Sequence, residues 1–400
     1  METPALTYPA SATSTGNSKT RQGSRPTRCA ASATRSPSEQ RRWLGNWRRA
    51  RVGYRATDVR RRYIHTLEAA SILASNLHDG GTIGVAAPAS PWENRSDLLR
   101  GVEWWEAQGY RVKLAPGVDG RDDFVAGPPE KRADDLNALF ADPEVDVVHC
   151  MQGGYGSAQA IPFLDFDVIA ANPKPFIGYS DITALHVAIR QRTGIATFYG
   201  PGVAGVGDKE ATAFTRTRFL EVLRGGGAGE VPRDPDDPYV RAIVGGKASA
   251  PLAGGCLWLL VQTMGTPWEI DLDGAIFFFE DVDAPPWYID GALVQLAHAG
   301  KLDRVLGVVV GEMEKCEWRE DRPEWPRTKS LEDVLEQRLE PLGVPVLYKL
   351  PLGHGKNLAT LPLGVPATLD ADARTLMIDE PALIERGKSL ARPREKGRTA

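Results

Sequence analysis

The chain has 400 residues, 42% of them hydrophobic and 25% charged, with a formal net charge of −4. That length supports two or three domains with cores of their own, and the apolar fraction excludes a largely disordered chain. No stretch approaches the ~18 consecutive apolar residues of a membrane span. The four cysteines, Cys29, Cys150, Cys256 and Cys316, show neither a disulfide framework nor metal-ligand spacing, which fits a reduced, cytoplasmic setting.

The net charge conceals a split. Residues 1–79 carry 14 Lys or Arg against 5 Asp or Glu, a net +9, and residues 80–400 carry 34 against 47, a net −13. Residues 1–40 hold 14 Ser or Thr and only two acids, Glu2 and Glu39, and too few apolar side chains to offset ordering entropy. Arg41-Arg42 has the form of a twin-arginine start, but Trp43-Leu44-Gly45-Asn46-Trp47-Arg48 is not an export core. A secretory signal would need about 7–15 apolar residues after the basic ones, and none follow. The arginine clusters fit a transit-like or nucleic-acid-binding arm only loosely. Residues 1–79 are read as a disordered basic extension outside the fold. The acidic body is expected to bind neither membrane nor nucleic acid, because phosphate neutralisation needs clustered Lys and Arg.

From residue 80 the elements follow in order. Thr82-Ile83-Gly84-Val85-Ala86 is a short apolar run that ends in small residues, a buried strand and tight turn. A helix is expected over 97–108, a strand over 110–114, a helix over 129–141 and strands over 145–151 and 175–177. Strands alternating with helices imply a parallel sheet covered on both faces, an N-terminal α/β domain over 80–205. Gly225-Gly226-Gly227 and Asp234-Pro235-Asp236-Asp237-Pro238 are loop chemistry, so 206–249 is read as a connecting segment. A second domain over 250–385 has a helix from Cys256, strands over 275–279, 305–311 and 344–348, and a helix over 290–299. Residues 317–329 read as a polar loop, and 386–400 as a polar tail.

Four motifs sit at strand ends or in glycine-rich loops. Gly178-Tyr179-Ser180-Asp181 follows an apolar strand, and Ile182, Leu185, His186 and Ile189 then recur at helical spacing. A serine at such a turn presents its hydroxyl at the sheet edge, with the next helix N-terminus ready for developing negative charge. The hydrolase elbow Gly-x-Ser-x-Gly is only partly met, since Ile182 holds its last glycine position, and Ser180 or Asp181 as a simple helix cap is the alternative. Gln152-Gly153-Gly154-Tyr155-Gly156 reads either as an oxyanion cradle or as an ordinary tight turn. Glu280 ends the run Ala275-Ile276-Phe277-Phe278-Phe279, where it either orients a base or solvates a loop. His354, between Gly353 and Gly355, suits a proton shuttle. His149, His186 and His298 read as structural. No dinucleotide fingerprint, P-loop lysine or His-Glu-x-x-His zinc motif occurs, so neither a metal nor another cofactor is expected.

In this order the motifs resemble the LD-carboxypeptidase family of serine peptidases, of the murein tetrapeptide carboxypeptidase and microcin C self-immunity type. The resemblance also rests on Leu252-Ala253-Gly254-Gly255 and Gly265-Thr266-Pro267 and covers about 82–381. It implies an N-terminal parallel α/β, flavodoxin-like domain and a C-terminal mixed β/α domain of swivelling type. It also implies a triad of Ser180, Glu280 and His354, and an oxyanion hole from the N–H groups of Gly154 and Asp181. Gln152, Tyr155 and Trp287 become candidate substrate contacts. The substrate implied is a small peptide with a terminal D-amino acid on an L-centre, and the assembly a homodimer. Within the same family the alternative is an amide hydrolase of peptidyl- or aminoacyl-nucleotide antibiotics; outside it, a non-catalytic cleft-binding protein. Gln152, Cys256, Tyr199 and Gly291 depart from residues frequent in relatives (arginine, asparagine, histidine and arginine). Trp258, Trp268 and Trp287, near the matched motifs, could stack on an aromatic leaving group or fill core.

Overall fold

The computed structural model describes residues 72–322 and 329–386. The basic segment through residue 71, Trp325 of the polar loop and the tail from 387 lie outside the described residues.

The fold begins earlier than the charge boundary suggests. Strand β1 (Ala74–Ser75) pairs in parallel with the last strand, Ile72 bridges to Ile195, and Leu77 is buried. Residues 72–79, assigned on composition to the extension, are thus part of the folded body. A two-residue strand carries no periodicity by which sequence could find it.

The first sheet is built from β2 (Thr82–Ala86), β3 (Arg111–Leu114), β4 (Val147–Cys150), β5 (Phe176–Gly178) and β6 (Thr197–Tyr199). They run parallel in the order β3-β2-β4-β5-β6. This is the flavodoxin-like 2-1-3-4-5 order, whose direction of winding reverses between β2 and β4 and leaves a crevice at their carboxyl ends. Among the longer helices, α1 (Arg95–Ala107) is capped by the Asn94 side chain, which accepts from Ser96 N–H. Helix α2 (Pro129–Ala141) starts on a proline, whose fixed φ suits the first turn, and buries Leu136, Leu139 and Phe140. Helix α3 (Thr183–Thr193) buries most of its residues, Leu185, His186 and Ile189 among them, and is a core element.

The second sheet is mixed. Helix α4 (Ala213–Gly225), β7 (Gly229–Glu230), β8 (Arg241–Val244), β9 (Lys247–Cys256), β10 (Ile276–Val282), helix α5 (Pro286–His298), β11 (Gly307–Glu314), helix α6 (Leu331–Leu339) and β12 (Val346–Tyr348) follow. Then come β13 (Leu361–Leu363), β14 (Pro366–Asp370), β15 (Thr375–Ile378) and β16 (Leu383–Ile384). Strands β9 to β12 are parallel neighbours, flanked by antiparallel β8 on one side and β14, β15 and β7 on the other. Both faces of β10 are covered: Ile276 and Phe278 join one core, Phe277 and Phe279 another.

Residues 206–249 are more than a connection. Thr212 caps α4, and Phe219, Val222 and Leu223, at helical spacing, are buried. Phe219 packs against Trp104, Trp105 and His149. The glycine run 225–227 is the end of this helix. Strand β13, from the C-terminal part of the chain, pairs antiparallel with β6 and so completes the first sheet.

Candidate active site

The crevice at the strand-order reversal is lined by the turns after β2 and β4. Ser90 N–H donates to Gly153 O (3.2 Å), which holds the two turns together. Ser90 Oγ donates to Phe124 O (3.0 Å) and accepts from Tyr155 N–H (3.0 Å). Buried Arg132 donates to Pro88 O (2.5 Å) and Gly156 O (2.8 Å), so one guanidinium fixes both turns from below. Gly154 has φ +99°, and a Cβ there would lie 2.4 Å from Ser90 Oγ. Only glycine fits that position.

Ser180 follows β5 with φ +59°, a left-handed conformation uncommon outside glycine. The elbow geometry is therefore present although Ile182 replaces the pattern's last glycine; Ile182 packs over Gly178 instead. Asp181 is buried, and its carboxylate accepts from Ser157 N–H (2.7 Å). Burial raises its pKa, with the hydrogen bonds from Ser157 and Gly156 and the Arg132 charge opposing. Its side chain thus secures the glycine loop, while its own N–H lies in the first turn of the helical run, where amides lack intrahelical partners. The backbone N–H of Gly154 has no acceptor among the described residues.

Period-2 alternation puts Glu280 on the same face of β10 as Phe278, which packs on Tyr199 of β6 (ring centroids 5.3 Å apart). Glu280 is fully buried, and both of its oxygens are engaged. His354 Nδ1–H donates to Oε2 (2.7 Å) and Tyr199 O–H donates to Oε1 (2.6 Å). Tyr199 in turn accepts the N–H of Ser180 (3.0 Å). The Tyr179 ring, next to Ser180 in the chain, lies 5.0 Å from the His354 ring. Because Nδ1 carries the proton toward the carboxylate, Nε2 of His354 is left as an acceptor. Burial is the largest single influence on His354 and lowers its pKa. The charge and hydrogen bond of Glu280, with Asp281 and Glu314, outweigh it and leave the imidazole above its ordinary value.

The His354 loop is anchored from the supposed linker. Asp234 accepts from Asn357 Nδ2 (2.8 Å) and from the N–H groups of Asp236 and Asp237, and Lys356 pairs with Asp236 (2.7 Å). Gly353 has φ +119°, and a Cβ there would lie 2.3 Å from Glu280 Oε2. Gly353→Ala is expected to strain the backbone by about 1–3 kcal/mol and to break the Glu280–His354 contact. Its kcat should fall by about two orders of magnitude, as measured by steady-state kinetics beside a melting curve.

The structure thus brings Ser180, Glu280 and His354 into one connected group, with Gly154 and Asp181 in the turns beside Ser180. Gln152 and Tyr155 make no polar contact to that group among the described residues. Gln152 donates to Pro91 O (2.8 Å) and so holds a turn. Tyr155 is 47% exposed, edge-on to Phe124, and Trp287 is 44% exposed beside Tyr288. His149 and His186 are structural, as expected. Each hydrogen-bonds to a backbone carbonyl, and burial pushes each pKa down to about 4. Cys256 is buried and its thiol pushed well up by burial, which is core behaviour. Among the described residues no group of three His, Cys, Asp or Glu could hold a metal ion.

The sequence reading gives Ser90, Arg132 and Asp234 no part in this site, and Tyr199 only as a departure from a histidine frequent in relatives. Only Tyr199 had a usable signal. Thr197-Phe198-Tyr199-Gly200-Pro201 repeats the apolar-run-then-turn pattern of 176–180, and a fifth parallel strand there places Tyr199 beside Gly178.

Two family models match the chain. The LD-carboxypeptidase N-terminal domain matches residues 83–200 and the LD-carboxypeptidase C-terminal domain residues 249–369. A protein of Bacillus subtilis named "Probable murein peptide carboxypeptidase" is 35% identical over 304 residues, 76% of this chain and 93% of that protein. Among solved structures, MccF in complex with glutamyl sulfamoyl guanosine superposes with a TM-score of 0.71 at 26% identity, covering 78% of this chain and 99% of that one. A muramoyltetrapeptide carboxypeptidase from Oxalobacter formigenes gives a TM-score of 0.64 at 28% identity, covering 75% and 99%.

Proposed function

Since the chain belongs to the LD-carboxypeptidase family and is a serine carboxypeptidase, we propose that it cleaves a terminal D-amino acid from an L-centre in murein-type peptides. Ser180 is the nucleophile, His354 the base and then the acid, and Glu280 the orienting carboxylate. Nε2 of His354 takes the Ser180 proton as Oγ attacks the scissile carbonyl. The N–H groups of Gly154 and Asp181 receive the oxyanion, and one such donor is worth about 10²–10³ in kcat. The D-amino acid leaves with the proton from Nε2, and water, activated by the same nitrogen, releases the acyl group.

The observation that carries this reading is the fully buried Glu280, which holds His354 Nδ1 at 2.7 Å and reaches the Ser180 amide through Tyr199. A buried carboxylate that fixes one histidine tautomer and is tied through Tyr199 to the amide of a left-handed serine suits acyl transfer. Activity requires neutral His354, whose pKa lies above the ordinary ~6.5, so kcat/KM should rise with pH through the neutral range. The three described cysteines are free and buried, which suits work in the cytosol. The homodimer belongs to the same proposal.

A second reading, hydrolysis of an aminoacyl-nucleotide, is favoured by the match to MccF holding glutamyl sulfamoyl guanosine and by the exposed rings of Trp258, Trp287 and Tyr288. One assay separates the two. Mass spectrometry of products from murein tetrapeptide, tripeptide and an aminoacyl-sulfamoyl adenylate is expected to show free D-alanine from the tetrapeptide. Turnover of the adenylate alone would select the second reading.

A further inference from the structure

We propose that Tyr199 is a positioning residue of this active site: its hydroxyl ties the backbone of the nucleophile to the orienting carboxylate and sets how much of that carboxylate's charge falls on His354. The inference rests on the Ser180–Glu280–His354 reading above and adds a member that acts through Glu280.

The direction of each hydrogen bond is forced by chemistry. A carboxylate can only accept, so Tyr199 gives its single proton to Oε1 of Glu280 (2.6 Å), and its oxygen remains to accept the Ser180 N–H (3.0 Å). Among the described residues Oε1 has no other donor. Glu280 is therefore held by one proton on each oxygen, Tyr199 on one side and His354 Nδ1 on the other. The phenol cannot drift. It is fully buried, edge-on to Phe278 (5.3 Å) and Tyr179 (6.3 Å) and tilted against His186 (5.9 Å). Strand register fixes its base, with Tyr199 opposite Gly178, two residues before Ser180.

A hydroxyl donating to one oxygen of a carboxylate draws charge away from the other. Tyr199 thus moderates the pull of Glu280 on the imidazole. The groups that face this pair are few. Asp281 on β10 and Glu314 on β11 act on His354; Cys256 at the end of β9 and Glu280 act on Tyr199. Burial holds the phenol well above its ordinary pKa and His186 down to about 4, so both stay neutral through the working range.

The test is Tyr199→Phe, which keeps the ring and removes the hydroxyl. D-Alanine release from murein tetrapeptide is measured across pH for wild type, Tyr199→Phe and Ser180→Ala. The expected result for Tyr199→Phe is a kcat lower by about 10- to 100-fold, a KM within about twofold, and an acid limb moved to higher pH as His354 feels more of the Glu280 charge. Replacing Tyr199 by a ring-fluorinated tyrosine, a stronger donor in the same packing, moves the limb to lower pH and gives a reading even if the phenylalanine variant folds poorly. A limb that stays in place in both variants, or wild-type kcat in Tyr199→Phe, overturns the inference while leaving the triad reading standing. Release of D-alanine by Ser180→Ala at the wild-type rate removes the reading and the inference together.

Discussion

Glu280→Gln is expected to lose about four orders of magnitude in kcat with its fold intact. The carboxylate receives two protons, one from Tyr199 and one from His354 Nδ1. A glutamine has one acceptor oxygen, so its NH₂ must face one of those donors. Facing His354, it drives the imidazole to the tautomer with the proton on Nε2, which cannot take the serine proton. Facing Tyr199, it leaves a buried hydroxyl proton without an acceptor, which costs about 1–3 kcal/mol. In both orientations the negative charge that stabilises the imidazolium is gone. Burial, already the largest influence on His354, then prevails and brings its pKa down. The acid limb of kcat/KM should therefore move to lower pH while its plateau collapses, opposite in direction to the shift expected for Tyr199→Phe. The measurement is a pH profile beside a melting curve; a variant within tenfold of wild type, with an unmoved limb, would contradict the orienting role.

Ser180→Ala is expected to lower kcat by about 10⁶-fold, the larger of the two effects, because no other hydroxyl can carry the acyl group. The side chain is small and only half-buried, so little packing is lost. Alanine at φ +59° retains the left-handed strain without relieving it, and the melting temperature should stay within a few degrees. Substrate binding should survive within a few-fold, since the glycine turn and the amides beside it are untouched. Kinetics paired with calorimetric titration of the tetrapeptide read both. A residual rate above that in water is expected from the oxyanion amides alone.

The local parts of this site were legible because they follow short-range rules. An apolar run, a turn residue and a helical period pointed to Ser180. A buried strand surfacing into acids pointed to Glu280, and flanking glycines pointed to His354. Helix α2 matches its expected bounds for the same reason: a proline at its start and one apolar face. What stayed hidden was made by register and long-range pairing. Tyr199 meets Glu280 across 81 residues of chain and His354 meets it across 74, and no local pattern encodes either contact. The acidic run from Asp234 to Asp237 read as loop chemistry, which it is, but its role in anchoring Asn357 and Lys356 depends on a strand layout that sequence does not display. Helix α4 was masked by the glycines that end it, and β13 and β16 are too short for a period to show. The family resemblance supplied the roles that geometry alone leaves open, above all the choice of Gly154 and Asp181 amides for the oxyanion.

The central claim is one serine acylated in a cradle of two amides beside one histidine. A peptidyl phosphonate analogue of the tetrapeptide, with an activated leaving group in place of the terminal D-amino acid, tests all three parts in a single crystal structure. The expected adduct is a phosphorus–oxygen bond to Ser180 Oγ. Its phosphonyl oxygen should lie about 2.7–3.1 Å from the N–H groups of Gly154 and Asp181, with His354 Nε2 within about 2.6–3.2 Å of the ester oxygen. A phosphonate bonded to any other residue, or a Ser180 adduct whose phosphonyl oxygen points away from both amides, would contradict the account.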